Sequence, residues 1–185
     1  MVTATTNRPY LDTAALQRAL DTERVARGMT WAALAREAHV SVASMRTMTR
    51  GAAIEADAVV LMLQWLQRRC DEFVVRPRNG AARRSKRVAG PPVPPLYARF
   101  DTIALHTALD RARKKRRLEW DAVADELGVS RGVIARFTLG GRTHVNLMIA
   151  AADWAGETVE ALLQPSRPVL GHARMDAKAR SRPRP

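Results

Sequence analysis

Shifted by 89 positions, the sequence falls on itself. Leu11-Asp12-Thr13-Ala14-Ala15-Leu16 meets Phe100-Asp101-Thr102-Ile103-Ala104-Leu105, and Ala19-Leu20-Asp21 meets Ala108-Leu109-Asp110. The register holds further on, where Arg24 meets Arg113, Trp31 meets Trp120, Ala35 meets Ala124, Glu37 meets Glu126, Val40-Ser41 meets Val129-Ser130, Gly51 meets Gly140 and Trp65 meets Trp154. Self-similarity at a fixed offset, without a gap, constrains the chain to two copies of one small unit rather than one large fold. The boundaries read as an N-terminal arm at 1–9, a first unit at 10–75, a linker at 76–96, a second unit at 97–165 and a tail at 166–185.

What such a unit does is narrowed by where the charge lies. The net charge is +13, yet residues 1–75 carry 9 basic and 8 acidic side chains and residues 96–165 carry 10 and 9. The units are nearly neutral. The excess sits at 76–95, with 6 basic and no acidic groups, and at 166–185, with 6 and 1. Arg76-Pro77-Arg78, Arg83-Arg84-Ser85-Lys86-Arg87 and Pro91-Pro92-Val93-Pro94-Pro95 lack the apolar content to form a core, so linker and tail read as disordered, with an extended proline run. Basic segments of this kind gather phosphates without reading sequence, because each neutralised phosphate releases counterions. A GC-rich coding sequence, which favours arginine over lysine, explains the same composition without a function.

Several classes fall away. No apolar run is long enough to span a bilayer, and the N-terminus lacks the apolar stretch of a signal peptide, so a cytoplasmic protein without membrane contact is expected. A single cysteine, Cys70, forms no internal disulfide and reads as a small buried hydrophobe. His39, His106, His144 and His172 are scattered, and no metal-ligand spacing, phosphate-cradling glycine loop or nucleophile motif occurs. No enzyme, cofactor or small-molecule ligand is implied.

The apolar spacing is helical, and its punctuation divides each unit into four to five short helices, an all-α fold joined by the basic, proline-rich linker. In the first unit Asp12 caps a helix to about Arg27, with Leu16, Ala19, Leu20 and Val25 inward. Thr30 caps a helix from Trp31 to Ala38, and Ser41 caps one from Val42 to Thr49 with Met45 and Met48 inward, closed by Gly51 in a left-handed position. A fourth runs from about Glu55 to Arg68, burying Val59, Met62 and Trp65, with a last turn at Asp71 to Val75. The second unit predicts helices at Asp101–Arg116, Trp120–Leu127, Arg131–Leu139, Val145–Ala155 and Val159–Leu163. Gly128 permits positive φ between two of them, Val129 seals the corner, Ser130 caps the next helix, and Ile134 and Phe137 anchor it.

Two short helices with a tight turn, the second opening on serine and presenting small or polar side chains, describe a helix-turn-helix. Both units resemble the lambda-repressor-like, or XRE, family of helix-turn-helix DNA-binding domains, over roughly residues 10–75 and 99–164. That resemblance implies double-stranded DNA as partner, with the third helix of each unit entering the major groove. The matching positions are Ser41, Val42, Ala43, Ser44, Arg46 and Thr47 in the first unit and Ser130, Arg131, Gly132, Val133, Ala135 and Arg136 in the second. Arg46, Arg131 and Arg136 offer guanidinium groups suited to guanine or phosphate. Family-like docking adds Arg113, Lys114, Lys115, Arg116 and Arg117 at the end of a helix, whose charge also complements the helix dipole, and Arg142, Thr143 and His144 beside the backbone.

The two reading surfaces differ, Val42-Ala43-Ser44 against Arg131-Gly132-Val133, so two unlike half-sites or a direct repeat with one well-defined half are expected. A linker of about 20 residues spans roughly 25 Å against half-sites about 34 Å apart, with a longer maximum reach. Departures from the family pattern bear on details. Trp31 and Trp120 stand where many members carry a phosphate-reaching glutamine, and packing against the first helix is the expected role. His39 replaces the turn glycine, marking the first unit as the less stable or degenerate one, and the first unit's Ala52-Ala53-Ile54 offers no counterpart to Arg142, Thr143 and His144, which makes the second the preferred DNA-binding unit. Two further classes stay open: a protein-interaction module such as an antitoxin or phage-encoded inhibitor, and an RNA- or single-strand-binding protein, disfavoured by the shortage of exposed aromatics. Pairing of two chains is equally open.

Overall fold

The computed structural model describes residues 8–49, 54–77 and 98–165. Over these the chain is mostly helical, with strands of two or three residues. Each repeat opens on an aspartate. Asp12 Oδ1 accepts the Ala15 N–H at 2.8 Å and Asp101 Oδ1 accepts the Ala104 N–H at 2.9 Å, satisfying donors that a helix start leaves without partners. From these caps run α1 (Thr13–Ala26) and α5 (Thr102–Arg116). Thr30 caps α2 (Trp31–Glu37) by accepting the Ala33 N–H, and Ser41 opens α3 (Val42–Thr49) by accepting the Ser44 N–H at 3.0 Å. After α4 (Ala56–Leu66) a 3-10 turn at Cys70–Phe73 completes the first repeat. The second repeats the plan as α6 (Trp120–Leu127), α7 (Arg131–Ala135), α8 (Val145–Ala155) and a 3-10 turn at Glu160–Leu162.

The helical periodicity is blind to what closes each unit. Strand β1 (Tyr10–Leu11) pairs antiparallel with β2 (Val74–Val75), and β3 (Ala98–Phe100) with β4 (Leu163–Pro165). Leu11 lies opposite Val74 and Phe100 opposite Leu163, the same pairing displaced by 89 residues. The Asp12 N–H then donates to the Phe73 carbonyl at 2.7 Å and the Asp101 N–H to the Leu162 carbonyl at 2.8 Å. Two expectations need correction. Val25 is 60% exposed rather than inward, because the buried stripe of α1 is Leu16 and Leu20 and the helix runs out past it. The helix expected from Arg131 to Leu139 is α-helical only to Ala135 and tightens to a 3-10 turn over Arg136–Leu139. The closing role of Gly51, residues 78–96 of the linker and the tail fall outside the described residues, whereas Arg76, the first linker residue and expected to be disordered, is held by Asp71 at 3.0 Å and by Asp153 of the second unit at 3.2 Å.

Most residues common to the two repeats hold one another. Arg24 Nη2 bonds Asp21 at 2.6 Å, its Nη1 donates to the Met29 carbonyl at 2.7 Å, and its guanidinium lies over the Trp31 ring. Arg113 does the same with Asp110, the Leu118 carbonyl and Trp120. Arg27 stacks on Trp65 and Arg116 on Trp154, while those two indoles donate to Glu37 and Glu126. Trp120 also stacks on His106 of α5, with ring centroids 4.8 Å apart, so it packs on the first helix of its unit as expected. Replacing Arg113 by alanine removes a charged bond to a backbone carbonyl and is predicted to lower stability by about 1–3 kcal/mol. Urea unfolding checks this, with the exposed Lys115→Ala as a control expected to stay within about 0.5 kcal/mol of wild type.

The two units meet in a seam whose contacts exchange under the same 89-residue shift. The Ala56 N–H donates to the Thr143 carbonyl at 2.8 Å, and the Val145 N–H to the Ile54 carbonyl at 2.9 Å. Leu11 N–H donates to Asn146 Oδ1 at 3.0 Å, and Phe100 N–H to Asp57 Oδ1 at 2.9 Å. Between them Glu55 bridges His144, which is its own counterpart. Contacts that swap partners when the repeats are exchanged define a two-fold relation, with its axis passing between the starts of α4 and α8. Helices α4 and α8 are accordingly apolar nearly all round and share one buried cluster with both units, as expected of helices covered on every side. Near the edge of the seam Glu160 Oε1 accepts the Cys70 N–H at 2.8 Å. The Cys70 thiol is buried, and burial followed by the nearby Glu160 carboxylate pushes its pKa well above the usual range.

Candidate nucleic-acid interface

In each unit a short helix, a tight turn and a second helix are set by one backbone device. The His39 N–H donates to the Arg36 carbonyl and the Val40 N–H to the Ala35 carbonyl; the Gly128 N–H donates to Asp125 and the Val129 N–H to Ala124. This is the Schellman closure, and it requires a left-handed residue, His39 at φ 55° and Gly128 at φ 59°. Glycine is at home in that conformation, and histidine tolerates it only moderately well. At Gly128 the absent side chain also admits Arg8, whose Nε donates to the Glu126 carbonyl from the N-terminal arm. Gly128→Ala is predicted to cost roughly 1–2 kcal/mol through its φ. The clash with the Arg8 guanidinium adds little, because that side chain is flexible, so adding Arg8→Ala should recover almost none of the loss in a thermal melt.

Helix α3 is anchored by Met45 and Met48, both buried, and presents Ser41, Val42, Ala43 and Arg46 to solvent. Part of its hydroxyl capacity is used internally: Ser41 Oγ lies 2.9 Å from Ser44 Oγ, and Thr47 Oγ1 donates to the Ala43 carbonyl. Helix α7 is anchored by Ile134 and by Phe137 just beyond it, and presents Ser130, Arg131, Gly132, Ala135 and Arg136, with Val133 half-buried. Ser130 makes no side-chain capping bond. Its carbonyl takes the Val133 N–H at 2.9 Å, which tightens the first turn and leaves the hydroxyl without that donor. Arg131 Nη1 lies 3.6 Å from Asp121, with both side chains largely exposed, a pairing that solvent screens and another anion can displace.

The basic run at the end of α5 divides. Arg113 is committed to the clamp described above, its side chain 16% exposed, and leaves the set of candidate contacts. Lys114 sits 2.7 Å from Asp110, and its bond, followed by that of Arg113, holds the Asp110 carboxyl below the ordinary range. Arg116 lies on Trp154 and donates to its carbonyl, while Arg117 ends the helix at φ 57°. Lys115, Arg116 and Arg117 are exposed. Thr143 is a further correction: it is buried in the seam, where its carbonyl receives Ala56. His144 bridges Glu55 there, and Arg142 pairs with Glu55 across the seam at 3.3 Å while staying largely exposed.

Sequence reasoning missed the seam residues. Asp57 and Asn146 occupy matching positions and are both short acceptors at the start of an otherwise apolar helix. That recurrence, with α4 and α8 lacking a polar face, was the available signal.

No protein-family model, curated protein or solved structure matches the chain. Among the described residues no helix is long and apolar enough to cross a membrane, and no group of three or more histidine, cysteine, aspartate or glutamate side chains is placed to hold a metal ion.

Proposed function

We propose that the chain is a sequence-specific double-stranded DNA-binding transcriptional regulator, a cytoplasmic repressor that occupies promoters through two lambda-repressor-like helix-turn-helix units reading unlike half-sites. The observation that carries this reading is the repeated assembly of two short helices, a left-handed turn and an anchored second helix whose outward face is small, polar or cationic. A helix so presented has the width and chemistry for the major groove, and guanidinium groups such as Arg131 and Arg136 suit guanine edges or phosphates. Lys115, Arg116, Arg117 and Arg142, being exposed, supply backbone-positioning charge. The difference between the surfaces of α3 and α7 supports unlike halves.

One observation favours the alternative of a protein-interaction module. Leu139 is 81% exposed and Ile103 52% exposed, both in the second unit, and large exposed apolar side chains serve protein contact better than groove readout. Selection of bound duplexes from a random library at about 150 mM salt separates the readings. A defined motif supports the regulator. Retention that is wholly sequence-independent and falls steeply with salt sinks it and directs the search to a protein partner.

A further inference from the structure

We infer that one chain reads one operator as a built-in pseudo-dimer, on two unlike half-sites in inverted orientation, at a spacing fixed by the seam and not by the linker. This rests on the DNA-binding reading above and adds to it the geometry of the site. The bonds Ala56 to Thr143 and Val145 to Ile54, Leu11 to Asn146 and Phe100 to Asp57, each convert into the other when the repeats are exchanged. Helices α3 and α7 are therefore related by a two-fold rotation. Duplex DNA has its own two-fold axes perpendicular to its length, and a two-fold pair of reading helices on one face meets the two strands in opposite senses. A direct repeat needs a translation between readers, which the seam does not provide.

The seam also sets the distance. It is made of backbone hydrogen bonds and of helices α4 and α8 buried against a common cluster, so the separation of the reading helices does not depend on residues 78–97. Because α3 offers Val42 and Ala43 where α7 offers Arg131 and Gly132, the halves differ and the chain sits on its operator in one direction. A second copy is not needed to complete the site.

The test takes the motif selected by the full chain and rebuilds it as a set of duplexes. In one the halves are inverted and in another direct; in two more the inverted halves are moved apart by about half a helical turn and by about one full turn. Binding is measured for the wild type and for a chain with about 20 glycine and serine residues inserted between Gly90 and Pro91, and mass photometry counts chains per duplex. The expected result is tight binding by one chain to the inverted parent alone, with both insertions weakening binding by about 100-fold or more as one unit loses its half. The lengthened linker leaves that optimum in place.

Recovery at one full turn, a preference for direct halves, a spacing optimum that follows the linker, or two chains per operator each overturns the inference while leaving DNA reading intact. Failure to select any motif overturns the DNA-binding reading itself, and the inference with it.

Discussion

Asp57→Ala combined with Asn146→Ala is expected to loosen the pairing of the two units and to lower the unfolding free energy by about 1–3 kcal/mol at each site. Both side chains accept a backbone N–H from the opposite unit, Phe100 at 2.9 Å and Leu11 at 3.0 Å, in partly buried bonds, although Asn146 itself is exposed. Alanine leaves those donors without a partner, and the cost of an unmade bond exceeds the benefit of a made one. Strands β1 and β3 enter the seam through these bonds, so their loss frees the strand that closes each unit. For a chain of this size a loss of 1 kcal/mol lowers the melting temperature by about 2–4 °C. A double variant melting within about 1 °C of wild type in circular dichroism, on the same conversion, would show that these two side-chain bonds contribute nothing to stability.

The second large effect is expected at α7. Arg131→Ala with Arg136→Ala should weaken binding to the selected duplex by about 1–3 kcal/mol for each lost contact to a base or phosphate, roughly 5- to 150-fold. Both side chains are exposed. Stability should therefore stay within about 0.5 kcal/mol of wild type, which separates this variant from Arg113→Ala, whose loss is structural. Unchanged affinity for the selected duplex would remove α7 from the reading surface.

The helices were legible because their causes are local. Asp12, Thr30 and Asp101 cap where side-chain chemistry places them, and the periodicity of Leu16 and Leu20 or of Met45 and Met48 names the inner face. The strands were not legible. Two or three residues are too few to show alternation, and Leu11 pairs with Val74 across four intervening helices. The 3-10 tightening at Arg136 likewise has no local marker, since Phe137 and Ile134 are buried in either conformation.

The candidate site was legible in part. Small and cationic residues on α3 and α7 face outward as their spacing implies, whereas Thr143 and Arg113 are drawn into the seam and the clamp by partners distant or unremarkable in sequence. The residues most plainly shared by the repeats, Arg24 with Arg113 and Trp31 with Trp120, are shared because they pack alike. Residues that differ between otherwise matching helices are where the two units are free to do different things. The seam joins residues far apart in sequence, and its marks in the sequence are the apolar completeness of α4 and α8 and the recurrence of a short acceptor at Asp57 and Asn146.

The most direct measurement is a parallel selection from a random duplex library at about 150 mM salt, with the wild type, with Arg131→Ala/Arg136→Ala and with Arg46→Ala. The expected result is a two-part motif for the wild type, with the double variant losing one half and Arg46→Ala degrading the other. A motif that survives all substitutions unchanged, or that vanishes as a whole in each without loss of folding, would contradict the claim that α3 and α7 read two separate halves of one site.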